Sequence, residues 1–183
     1  MPPEQPQHPS NKFLSIIIVG LLTTLFGGVG VMYYLGMFSE VTVAQISAPP
    51  YRIAYLFHTG AYNSIEPSIE KAGKYLKKAG IEADTPCALF LDDTGKTPES
   101  QRRAKVGYLL KHSDFVPAPL DEEIFPKREA VVATFSGGTL LGSYKAYEAM
   151  KEWAKTNHYT LVLPALEIYH PNGVKEYQLG IRK

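Results

Sequence analysis

A-Y-L-F-H-T-G-A-Y (54–62) and T-P-C-A-L-F-L-D-D (85–93) bracket one helix-like run, and A-T-F-S-G-G-T-L-L (133–141) and L-P-A-L-E-I-Y-H-P (163–171) bracket another. A constant offset of 78 positions aligns Phe57 with Phe135, Gly60 with Gly138, Glu70 with Glu148, Lys77 with Lys155 and Pro86 with Pro164. Identities are few, so the case for duplication rests on the matching order of elements. A duplicated strand–helix–strand unit offers a cleft between its copies. The copies differ at an acidic position: Glu167 in the second has Leu89 as its counterpart in the first.

Outward from these stretches, local signals fill in the elements. Arg52 to His58 reads as a strand. Ser64 to Ala79 reads as a helix, with Ile65, Ile69, Ala72 and Leu76 on one apolar face and Gly80 as its stop. Ala88 to Leu91 and Lys105 to Lys111 are the next strands, separated by the Asp92-Asp93-Thr94-Gly95 turn and a polar loop. The second copy follows the same order: strand Ala130 to Phe135, a Gly137-Gly138 turn, helix Gly142 to Lys155 with Ala146, Met150 and Trp153 or Ala154 inward, and strand Leu161 to Tyr169. A Pro171-Asn172-Gly173 turn then leads to strand Val174 to Arg182. Strands joined by tight turns, with one helix inserted per copy, predict an α+β fold. Its antiparallel sheet would carry helices on one face, and its other face would line the central cleft.

The first fifty residues are of another kind. Residues 1–12 hold four prolines among polar residues and are expected to be disordered. Phe13 to Phe38 carries no charged side chain and is long enough, at ~1.5 Å per residue, to span a ~30 Å hydrocarbon core. A cleaved signal peptide is the rival reading, but the stretch is long and Gly36 to Glu40 is a poor cleavage context. We therefore expect a single-pass anchor in the lipid bilayer, residues 13–38. Gly20, Thr24 and Gly28 would let two anchors pack as a homodimer. Lys12 on one flank and Glu40 on the other favour an extracytoplasmic domain, with the cytoplasmic face as the alternative. Residues 39–50 are expected to be a linker, broken at Pro49-Pro50 after a β-prone Val41 to Ile46. The domain follows at 51–183: repeat one 51–112, connector 113–128, repeat two 129–183.

Composition narrows the function. Nineteen Lys and Arg against eighteen Asp and Glu leave a net charge of +1, without the basic face that nucleic-acid binding needs. The lone Cys87 sits in an apolar run and reads as an inert thiol. His8, His58, His112, His158 and His170 are scattered without metal-ligand spacing, and Gly137-Gly138-Thr139 lacks the Lys-Ser/Thr of a phosphate loop. No metal and no cofactor is expected.

F-H-T-G-A-Y (57–62), L-F-L-D-D (89–93), K-V-G-Y-L (105–109) and above all L-P-A-L-E-I-Y (163–169) resemble the GyrI-like small-molecule-binding domain. That superfamily includes the effector-binding domains of AraC- and MerR-type regulators, gyrase-inhibitory proteins and a membrane-anchored vertebrate ER-phagy receptor. The resemblance covers roughly residues 51–182. It implies two β-α-β-β units of GyrI-like (SHS2) type, related by pseudo-two-fold symmetry, with a ligand in the cleft between them. No helix-turn-helix precedes the domain, and the chain ends at Lys183 without the receptor's long tail, so neither a regulator's nor an autophagy receptor's role is expected to carry over.

Alternation puts Ala165, Glu167 and Tyr169 on one face of their strand and Leu166 and Ile168 on the other. If the latter pack against the helices, Glu167 and Tyr169 face the groove. A carboxylate there is costly to desolvate unless paired. A lipophilic cation would offset that cost, each ring adding ~0.5–2 kcal/mol. Relatives with this motif imply that role for its Glu. The expected ligand-binding set is Glu167, Tyr169, Tyr62, Tyr144 and His58, although a turn histidine bonded to backbone is the simpler account of His58. The leading expectation is thus a non-catalytic, membrane-anchored module for a small amphipathic or cationic ligand. The alternatives are a membrane-tethered protein-interaction scaffold and a hydrolase of electrophilic small molecules with Glu167 as general base.

Overall fold

The computed structural model describes residues 11–34, 39–111, 115–136 and 139–183. Of the segment 1–12 expected to be disordered, Asn11 and Lys12 instead begin a helix; residues 1–10, positions 35–38 of the expected anchor, the start of the connector and the Gly137-Gly138 turn lie outside the described residues. Helix α1, Asn11–Tyr34, has a mean hydropathy of 2.2 over Lys12–Tyr34 and none of that stretch buried. It is long and apolar enough to cross a membrane, a property that a signal sequence shares. Thr23 and Thr24 return their hydroxyls to the carbonyls of Val19 and Gly20, each at 2.9 Å, so their polar groups are satisfied within the helix.

The rest is α+β. Strands β1 (Val41–Ala48), β2 (Tyr51–Thr59), β3 (Pro86–Phe90), β4 (Arg103–Leu109), β5 (Asp121–Phe125), β6 (Arg128–Ser136), β7 (Thr160–Tyr169) and β8 (Val174–Arg182) form one sheet. Helices α2 (Glu66–Lys78) and α3 (Thr139–Thr156) follow β2 and β6. The sheet order is β1-β6-β8-β7-β3-β4-β2-β5, antiparallel throughout. Two β-α-β-β runs, β2-α2-β3-β4 and β6-α3-β7-β8, meet at the β3–β7 pair. Each outermost strand pairs with the run it does not lead into.

Two segments differ from expectation. Residues 39–50 are not a linker: β1 pairs along its whole length with β6, from Val41 opposite Phe135 to Ala48 opposite Arg128. The connector, too, contains a strand, β5, paired with β2. Both are edge strands held by partners distant in sequence; the β-prone pattern of Val41 to Ile46 marks a strand but not its place in this sheet.

Both helices cover one face. Ala72 and Leu76 of α2 pack with Ala54, Leu56 and Tyr108. Ala146 and Met150 of α3 pack with Val131, Ala133, Phe135, Tyr177 and Leu179. On β4, Ala104 and Val106 face the second group while Tyr108, in phase with them, faces the first, which places α2 and α3 side by side. The other face buries Ile53, Cys87, Leu89, Phe125, Leu166 and Ile168. The sheet curls toward that face: Gln178 Nε2 of β8 donates to the Tyr51 hydroxyl of β2 at 2.8 Å. In a flat sheet four strand spacings, roughly 19 Å, would separate those strands.

Candidate functional site

Glu167 stands near the middle of the sheet, with Ala88 of β3 opposite it on one side and Tyr177 of β8 on the other. It is 7% exposed. The Tyr147 hydroxyl donates to Oε1 at 2.9 Å and the Tyr169 hydroxyl to Oε2 at 2.9 Å. The Tyr147 ring meets Tyr177 edge-on, with centroids 5.8 Å apart. Small residues make room for this arrangement. Ala88, Ala133 and Ala165 lie on the same face, and a Cβ on Gly142 would fall 2.8 Å from the Phe135 ring, so glycine lets α3 approach the sheet closely.

Electrostatics follow from burial. Desolvation pushes the Glu167 carboxyl up from 4.5 to about 7, against the opposing pull of the two phenol hydrogen bonds and the Lys175 charge. Burial and the carboxylate's negative charge raise Tyr147 and Tyr169 well above the ordinary phenol value. Tyr177 is raised for the same reasons. The site is thus a carboxyl that burial shifts toward its neutral form, held by two neutral hydroxyls.

The face assignment is reversed from expectation. Leu166 and Ile168 pack on the far side of the sheet, and Glu167 and Tyr169 point to the side that carries α3. Glu167 therefore lies beneath α3, on the helix-covered face of the sheet rather than on the face opposite the helices. Tyr62 belongs to the same apolar cluster, its ring 4.4 Å from Phe90, but its hydroxyl donates to the carbonyl of Arg103 and accepts from the amide of Asp92. It anchors the loop after β3 and makes no bond to Glu167. Tyr144 is 68% exposed and stands outside the cluster. His58 contacts the Ala61 carbonyl at 3.2 Å and Ser68 at 3.5 Å, as a turn histidine does. Tyr147 was missed. Its signal was helical phase: with Met150 and Ala154 it continues the buried stripe of α3 at three- and seven-residue spacing.

Among the described residues no group of three or more His, Cys, Asp or Glu could hold a metal. Cys87 is fully buried, which pushes its thiol far above the usual range and leaves it unreactive.

Comparison with curated proteins gives no match. Among solved structures, the EcmrR C-terminal domain superposes with a TM-score of 0.60 at 17% identity, covering 80% of this chain and 99% of that one. EcmrR in its DNA complex gives 0.60 at 15% identity, covering 94% and 68%. An uncharacterized conserved protein from Listeria innocua gives 0.59 at 9% identity, covering 77% and 92%. At such identities the likeness speaks to fold alone. The family follows from sequence: residues 42–181 match the GyrI-like small molecule binding domain, and the chain belongs to that family.

Proposed function

We propose that this protein is a membrane-anchored, non-catalytic binding module whose cleft takes a small amphipathic or cationic molecule at Glu167. The supporting observation is the carboxyl itself, buried among rings and alanines and hydrogen-bonded by two tyrosyl hydroxyls. Rotation of Tyr147 or Tyr169 would open a path to it, and a cationic group would then supply the charge that burial lacks. Membership of a small-molecule-binding family and an apolar leading helix support the two halves of the reading. The two β-α-β-β runs are read as copies, of which the second alone carries the acid.

The test is a panel of cationic and neutral dyes against Glu167→Gln. Cationic ligands should weaken roughly 30-fold or more, the effect of leaving a buried charge without its partner, while neutral ones keep their affinity. For the unaltered protein, cation affinity should fall about tenfold per pH unit below about pH 7, because binding must then expel the carboxyl proton. Equal affinities across the panel for both proteins would sink the proposal.

A second reading has its own support. The F-H-T-G-A-Y and L-E-I-Y segments and the order of helix then domain resemble those of testis-expressed protein 264, a resemblance that would suit a tethered scaffold for other proteins. A stoichiometric protein partner recovered from membranes with the cleft empty would favour it.

A further inference from the structure

The register of the sheet places Glu167 at a particular height above the anchor. Val41, Phe135, Lys175 and Tyr169 form one row across β1, β6, β8 and β7; Val43, Ala133, Tyr177 and Glu167 form the row two residues further in. Val41 begins β1, where the chain enters the sheet from α1. Tyr169 therefore stands in the entry row, and Glu167 about 7 Å beyond it along the strands. Helix α3 repeats the relation. Lys145 donates through Nζ to the Ser39 carbonyl at 2.6 Å, and two residues on, Tyr147 donates to Glu167. From Tyr34, the end of α1, to Ser39 is five residues, at most about 18 Å of extended chain. The end of the domain that bears the site is thus held close to the end of the anchor. Tyr144, largely exposed on the same turn of α3 as Lys145, puts a tyrosine beside a lysine at that end, a pairing suited to the headgroup level.

We infer that the Glu167 cleft is loaded from the bilayer that holds its own anchor, so that its ligand is a membrane-partitioned amphipathic cation rather than a freely dissolved one. The inference rests on the binding reading above and adds the source and class of the ligand. The apolar part of such a molecule stays in the leaflet while its charged group projects to the depth at which Tyr169 and Glu167 are reached. Tethering keeps the site at high effective concentration near that pool.

The test uses the full chain in phosphatidylcholine vesicles. A rhodamine methyl ester and the corresponding hexyl ester are supplied at equal free aqueous concentration, and the rate at which dye occupies the protein is followed by fluorescence. The hexyl ester should load faster in proportion to its membrane content. A flexible Gly/Ser insert of about 24 residues between Tyr34 and Ser39 should slow loading about tenfold while final occupancy stays the same. Equal rates for the two dyes on the unaltered chain would overturn bilayer loading and leave the binding reading intact; this arm does not depend on how the insert folds. Dyes that never occupy the unaltered chain would overturn the binding reading and the inference together.

Discussion

Glu167 is costly to the free protein. Its carboxyl is raised by burial from 4.5 to about 7, so the folded state holds a proton that the unfolded chain gives up. For a raised pKa the stabilising contribution is complete below about 4.5 and is lost as pH rises through about 7. A shift of that size corresponds to something on the order of 3 kcal/mol between the two limits. Glu167→Gln removes the titration while keeping the shape. Its stability should be nearly flat between pH 5 and pH 8, where the parent declines, and the variant should be the more stable at pH 8. Urea unfolding at several pH values reads this directly; parallel curves for the two proteins would refute it. Tyr147→Phe acts in the opposite sense, removing a donor from a charged acceptor. It should cost about 1.5–3 kcal/mol at pH 8 and less at pH 5, where the carboxyl is protonated.

Strands and helices show which features local sequence reveals. Alternation along Leu163 to Tyr169 correctly separates Glu167 and Tyr169 from Leu166 and Ile168, because the side-chain period of a strand is fixed by its geometry. Which of those faces meets a helix is a tertiary fact: both faces of β7 are buried, so alternation of apolar and polar residues gives no sign of the choice. Tight packing is similarly hidden. At Gly107, in β4 between β2 and β3, a Cβ would lie 1.9 Å from the Ala54 carbonyl oxygen and 2.8 Å from the Tyr55 Cα. Gly107→Ala must push backbone aside and should destabilise by about 3 kcal/mol or more. Gly73, in α2, differs: its added Cβ would meet the tip of the Tyr108 side chain at 2.7 Å, and that ring can turn away. Removing a helical glycine also gains up to ~1 kcal/mol, so Gly73→Ala should be close to neutral. Thermal unfolding of the two variants distinguishes backbone obstruction from side-chain obstruction, and similar losses would contradict it.

At the scale of the whole molecule, the sheet bends until its two ends are joined by the shortest of connections. β1, outermost beside β6, runs through Pro49-Pro50 into β2, which lies at the other side of the sheet beside β4 and β5. β5, outermost beside β2, returns through Pro126-Lys127 into β6. Side chains fasten this crossing. Gln178 reaches Tyr51, and the Arg128 guanidinium donates to the Pro164 carbonyl at 2.7 Å while lying 4.5 Å from the Phe125 ring centre. The prolines were legible in the sequence as breaks, but a break reads the same whether it ends a linker or turns one edge of a sheet toward the other. The domain consequently begins earlier than the motifs suggest. Val41 and Val43 pack on the cluster that contains Tyr177, and Ala48 is buried with Ala130 and Val132 on the other face. A chain beginning at Ser39 should keep the full fold, whereas one beginning at Tyr51 loses a strand and exposes the backbone of β6. Burial of those side chains and the lost ladder together predict a penalty on the order of 3 kcal/mol or more, visible as a lower melting temperature by circular dichroism. The same truncation uncovers the side of α3 that faces β1, so Tyr147 should lose its fixed position and, on the proposed binding reading, cationic dyes their affinity. Equal melting temperatures for the two chains would mean that β1 is dispensable and that the site is supported from within residues 51–183 alone.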